Sequence, residues 1–153
     1  MYEHIKLKNA INMRKANYDK FPSTKLTGML VQGWDSIISM LKEKMDARKV
    51  LAVDLYTGVY EEEVLGAFSK EFSGRVMNVR DLMKPEKEIQ ALTERFMTED
   101  VLFGYVTNLK LEDYLDADKV AAARKQISEA KETIVIIGTG AAVVAPQDAM
   151  VVY

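Results

Sequence analysis

Residues 49–72, KVLAVDLYTGVYEEEVLGAFSKEF, constrain the fold more than any other stretch. The apolar run 50–56 is bounded by charge on one side and halts at Thr57-Gly58, which is the pattern of a buried strand. Val64, Leu65, Phe68 and Phe72 then recur at helical spacing. Glu61, Glu62 and Glu63 open the first turn, where the helix dipole favours acids. A strand that feeds straight into an amphipathic helix is the first half of a βαβ unit. The expected fold class is therefore α/β, a three-layer α/β/α body around a mostly parallel sheet.

The rest of the chain supplies further elements of both kinds. Trp34, Ile37, Ile38, Leu41 and Met45 mark one face of a helix over 32–48, with Lys42, Glu43, Lys44 and Asp46 opposite. Arg48 and Lys49 close it, where the dipole favours cations. A second strand is expected over 75–79, then a helix over 85–97 that begins at Pro85 and turns Ile89, Leu92 and Phe96 inward. VLFGYV, residues 101–106, reads as a third strand. LEDYLDADK reads as a turn or a single helical turn, and a helix follows over 116–131 with Val120, Ala123, Ile127 and Ala130 on its inner face. Residues 133–137 form a fourth, buried strand and residues 149–153 a last one. Residues 1–31 read as an N-terminal arm and loop, because Asn9, Asn12 and Asn17 disfavour helix and Pro22 and Gly28 break YDKFPSTKLTG. Within it, Lys20, Ser23, Thr24 and Lys25 are either a small anion-binding loop or a solvated connection. The α/β domain is thus expected over 32–153. Its ending on apolar Val151, Val152 and Tyr153 reads as truncation of a longer polypeptide.

One count removes several reaction classes. Among 153 residues there is a single His, His4, and no Cys. A Ser-His-Asp triad would need His4 itself, and a thiolate nucleophile or a zinc site of His and Cys lacks its ligands. A Mg²⁺ site built from carboxylates remains open. A net charge of -2 and a pI of about 5.5 give no basic footprint for nucleic acid or an anionic membrane, so neither is expected as a partner. The first residues contain no apolar signal-peptide core, and the longest apolar stretch, 134–145, is broken by Gly138 and Gly140. The expected location is the cytoplasm.

Two loops are candidate sites. The first holds Asp54, Tyr56, Thr57 and Gly58 at the carboxyl end of the opening strand, the edge where open parallel sheets bind ligands. Asp54 could hold Mg²⁺, act as a base or serve the structure. Tyr56 and Thr57 could contact a hydroxyl or a phosphate. A phosphate at the following helix would meet Glu61 to Glu63, each like charge costing roughly 1–4 kcal/mol at ~4 Å. The second is IVIIGTGAA, where Gly138, Thr139 and Gly140 end a strand and successive N–H groups can form an anion nest. No Lys follows these glycines as a phosphate loop requires. Val143 stands where the dinucleotide fingerprint needs a third Gly or Ala, and Pro146 cuts the helix short. A tight turn between strands is the competing reading. Glu112, Asp113, Asp116 and Asp118 have part of a calcium-loop spacing without its Gly and terminal Glu, and read as a helix cap.

GMLVQGWDSI, VLAVDLYTGVYEEEVL, FGYVTNLKLEDYLDADKV and IVIIGTGAAVVAP together resemble the N-terminal, non-cupin region of long bacterial class I mannose-6-phosphate isomerase-like proteins. The similarity runs from about Tyr18 onward. Residues 50–65 and the GTGAA turn are also similar to degenerate nucleoside- and uridine-kinase-like domains, P-loop-kinase-like or Rossmann-like, without the phosphate-loop Gly-Lys. The resemblance implies an accessory domain of a carbohydrate-metabolism protein. In that family mannose 6-phosphate and fructose 6-phosphate interconvert on a zinc held by His, Gln and Glu side chains of the cupin. None of those ligands maps onto this chain, so neither a catalytic residue nor a metal or other cofactor is expected in it. The expected partners are the cupin part, a second copy, and a phosphorylated sugar or nucleotide lying between the 54–58 and 138–142 loops. Two rivals stand beside this reading. One is a remnant phosphotransferase using ATP and Mg²⁺ through Asp54. The other is a purely structural docking or oligomerisation domain with an apolar patch near Val151 and Tyr153.

Overall fold

Buried parallel strands need helices on both faces, and the sequence provides both. In the computed structural model, which describes residues 18–25, 27–45 and 49–153, the chain divides into units 1–30 and 31–153. Four strands of the second unit, β1 (Val50–Asp54), β2 (Arg75–Asn78), β3 (Ile134–Gly138) and β4 (Met150–Val152), form one all-parallel sheet in the order β2-β3-β1-β4. Central β1 and β3 are covered on both sides, which is why they are almost unbroken runs of Val, Ile, Leu and Ala.

Leu51, Val53, Val135 and Ile137 face α1 (Trp34–Met45) and α2 (Glu61–Glu71), whose Ile38, Leu41, Val64 and Phe68 complete one core. Val50, Ala52, Ile134 and Ile136 face the other way, onto Val120, Ala123 and Ile127 of α4 (Ala117–Glu129) and onto the single turn α5 (Ala141–Val144). These three layers meet the α/β expectation. The β1-to-β2 connection crosses the sheet one way, and the two later connections cross it the other way. Crossovers of one hand therefore place α2 on one face and α4 and α5 on the opposite face. Asp116 caps α4 by accepting the N–H groups of Asp118 (3.0 Å) and Lys119 (3.1 Å), as the cap reading expects. Helix α3 (Glu86–Glu94) buries no residue and stops short of the expected 97.

The third strand expected over 101–106 is not formed. Its polar groups are taken locally instead: Tyr105 N–H donates to the Phe96 carbonyl (2.8 Å), and Asp100 Oδ1 accepts the N–H groups of Leu102 (2.8 Å) and Phe103 (3.2 Å). The Thr98 hydroxyl donates to the Phe103 carbonyl. Short polar side chains here outcompete a sheet ladder. Gly104 lets the chain double back, since a Cβ there would lie 2.6 Å from the Phe96 oxygen.

Strand β1 ends at Asp54 rather than at 56, and β4 covers only 150–152 of the expected 149–153. In the first unit the described residues form no regular element. There the Phe21 N–H donates to Asp19 Oδ1 (2.9 Å), and Lys20 Nζ lies 5.4 Å from the Phe21 ring centre. His4, the three asparagines, Asp46 and Arg48 lie outside the described residues.

Candidate functional site

The chain leaves β1 toward one face of the sheet and leaves β3 toward the other, and these two strands are neighbours. Between their carboxyl ends lies the topological switch point, where open α/β sheets hold their ligands. Register places Asp54 beside Gly138, so both candidate loops share one rim. The structure thus brings together Asp54, Gly138, Thr139 and Gly140.

The nest at the second loop is filled from within. Gly140 N–H donates to Asp54 Oδ1 (2.9 Å) and Ala142 N–H to Asp54 Oδ2 (3.0 Å). Thr139 Oγ1 donates to the Leu55 carbonyl (3.0 Å), and Leu55 N–H to the Gly138 carbonyl (3.4 Å). These hydrogen bonds staple the loops across the crevice. The geometry depends on glycine at two places. Gly138 (φ +132°) would put a Cβ 3.0 Å from Val79 Cβ, and Gly140 (φ +91°) would put one 3.0 Å from Leu111 Cδ2. Gly140 also starts α5, so GTGAA is a turn into a helical turn rather than a plain bend between strands. A carboxylate that accepts two backbone N–H groups does what an incoming phosphate oxygen would do, and repels one that approaches.

Tyr56, Thr57 and Gly58 lie outside this staple. They are exposed and line a cleft of about 320 Å³ with Thr139, Glu61 and Arg80. Arg80 was not among the residues singled out from sequence. The available signal was a cation just beyond the carboxyl end of a parallel strand. Asn78 accepts the Arg80 N–H (2.8 Å) and starts a 3₁₀ turn over Val79–Leu82, and the Arg80 guanidinium donates to Glu61 Oε2 (3.3 Å). The other carboxylate oxygen, Glu61 Oε1, is buried and finds no hydrogen-bond partner among the described residues. Glu63 is engaged too, accepting from Trp34 Nε1 (3.2 Å), while the Trp34 ring meets Phe68 edge-on at 6.5 Å. Trp34 therefore anchors α1 to α2.

A larger groove, about 720 Å³, opens at the opposite end of the sheet between the end of α4 and the α5–β4 connection. It exists because α5 is a single turn and leaves the start of β1 thinly covered. Val50, Ile127, Val144 and Pro146 form its floor, and Arg124 on its wall is already engaged by the Val143 carbonyl (2.7 Å). It contains none of the candidate residues. Among the described residues no three His, Cys, Asp or Glu side chains are grouped to hold a metal ion. No helix among them is long and apolar enough to cross a membrane.

The family model described as Domain of unknown function (DUF8485) matches residues 33–153, and the chain belongs to that family. No curated protein and no solved structure matches it.

Proposed function

We propose that this member of the DUF8485 family is a non-catalytic accessory α/β domain of a cytoplasmic, mannose-6-phosphate-isomerase-type protein of carbohydrate metabolism. Its work is to hold and dock other parts of that protein. The Asp54 clamp is the observation that carries the non-catalytic half: its carboxylate takes the Gly140 and Ala142 N–H groups that a ligand phosphate would need. The glutamates at the start of α2 add like charge on the same rim. The protein context comes from the resemblance of 28–37, 50–65, 103–120 and 134–146 to the non-cupin region of such isomerases. Mannose 6-phosphate incubated with the 153-residue chain should give no fructose 6-phosphate, and ATP with Mg²⁺ should leave its melting temperature unchanged. Turnover of the sugar phosphate overturns the reading. A rise in melting temperature with ATP and Mg²⁺ that Asp54→Ala abolishes would establish the phosphotransferase alternative.

A second reading is favoured by one detail, the exposed Arg80 guanidinium in the cleft lined by Thr57 and Thr139. A small phosphorylated sugar would fit there with its phosphate on Arg80, walled by Thr57 and Thr139. A specific sugar phosphate at a hundred times its dissociation constant would add about 2.7 kcal/mol of stability. Arg80→Ala should remove that gain, and no gain from any sugar phosphate ends this reading.

A further inference from the structure

We propose that residues 85–113 are a hinged lid on the carboxyl rim of the sheet, swung on a neck at Met83 and Leu115 and latched shut by Leu111 against Gly140. The segment lies between β2 and α4, so it rises from the same end of the parallel sheet as the β1 and β3 loops. At its base Leu82 and Leu115 are buried, and the two flanking stretches meet in an antiparallel bridge between Met83 and Leu115. Asp116 N–H donates to the Leu82 carbonyl (2.9 Å) and Lys84 N–H to the Tyr114 carbonyl (3.0 Å). Two lysines tighten this neck: Lys84 Nζ donates to the Asp113 carbonyl (2.6 Å) and Lys119 Nζ to the Met83 carbonyl (3.1 Å). A joint of a few residues at the ends of elements is what hinge motions use.

Above the neck the segment shares little with the rest of the molecule. None of residues 85–113 is buried, those of α3 included. Among the described residues, the hydrogen bonds of 85–109 all end within that span. Ile89 N–H donates to the Pro85 carbonyl (3.1 Å), Phe96 N–H to the Thr93 carbonyl (2.9 Å) and Leu109 N–H to Thr107 Oγ1 (3.0 Å). The salt bridges lie elsewhere in the chain. A segment with neither core burial nor outside hydrogen bonds belongs to the low end of local stability, and the sheet does not lean on it.

One side chain reaches back. Leu111, in the 3₁₀ turn Leu111–Tyr114, is partly buried, and its Cδ2 and Cγ stand 3.0 Å and 3.3 Å from the place a Cβ of residue 140 would take. Gly140 therefore supplies the socket for Leu111 as well as the left-handed turn into α5. The N–H groups of Gly140 and Ala142 are also the pair that Asp54 holds. A closed lid seats an apolar side chain over this clamp, and a lifted one lets water reach both amides. The lid is thus a second closure at the switch point, outside the one that Asp54 makes from within. It goes beyond the accessory-domain reading and does not depend on it.

The test is native-state hydrogen exchange of the full 153-residue chain, read amide by amide by NMR. Amides inside α3 should exchange at least roughly a hundredfold faster than those of β1 and β3. Leu111→Ala should speed Gly140 and Ala142 by roughly tenfold and leave Ile136, inside β3, unchanged. The chain has no Cys, so Gln90→Cys with Lys125→Cys places one spin label on α3 and one on α4. Adding Leu111→Ala should broaden the distance distribution while circular dichroism keeps its helix signal, as a swinging body requires. Exchange in α3 as slow as in β3 overturns the proposal. So does a Leu111→Ala variant whose Gly140 amide keeps its wild-type rate, whose label distances do not change, or whose helix signal falls.

Discussion

The β1–β3 rim and the 97–106 loop are opposite solutions to one requirement, that backbone polar groups find partners. At the rim, Asp54 and Thr139 reach across 86 and 84 residues of sequence to satisfy the neighbouring loop, and the crevice closes. In the loop, Thr98 and Asp100 satisfy groups two to five residues away, and an apolar run is left outside. Long-range polar contacts fill from within the nest that the fold offers at this rim. Short-range polar contacts have kept a strand-like sequence out of the sheet. A position at the switch point is therefore not enough to leave backbone donors open, and an apolar run is not enough to make a strand.

The rim should be the costlier region to damage. Asp54→Ala leaves two partly buried N–H groups without their charged acceptor, at a cost of about 2–4 kcal/mol. Urea unfolding should show that loss, and a fall in melting temperature of roughly 10 °C should accompany it. Asp54→Asn keeps one acceptor oxygen and should lose about half as much. A cost below ~1 kcal/mol for Asp54→Ala would mean that the staple is not what closes the crevice.

A smaller effect separates strain from contact within the same rim. Gly140→Ala forces a Cβ into a left-handed conformation and to 3.0 Å from Leu111 Cδ2, whereas Gly58→Ala at φ +96° meets nothing within 4 Å. Both should lose about 1–2 kcal/mol from the conformation alone, and Gly140→Ala should lose measurably more. Equal losses by chemical denaturation would show that Leu111 does not press on the turn.

Much of the frame was legible because period and burial coincide. The runs ending at Asp54 and Gly138 are apolar on both faces, and α2 and α4 follow the 3.6-residue period, so local pattern and tertiary placement agree. The joint placement of the two glycine-bearing loops followed from the parallel βαβ inference. The Asp54 clamp did not, because spacing cannot show which of several roles a carboxylate takes once a distant loop arrives. Arg80 was hidden for a similar reason: its place beside Glu61 depends on β2 lying two strands away from β1, an order that no single segment encodes. VLFGYV misled because β-propensity reports a fit to a pleated surface and says nothing of whether the chain brings one.

The smallest effect on the isolated fold belongs to the loop, and this sharpens the contrast most. Phe103 is largely exposed and its ring enters neither buried cluster, so Phe103→Ser should change monomer stability by no more than about 0.5 kcal/mol. Differential scanning calorimetry of the variant beside the wild type reads the difference. If Phe103→Ser instead costs as much as Asp54→Ala, the ring is packed within its own chain, and the loop belongs with the rim as structure rather than opposite it as surface.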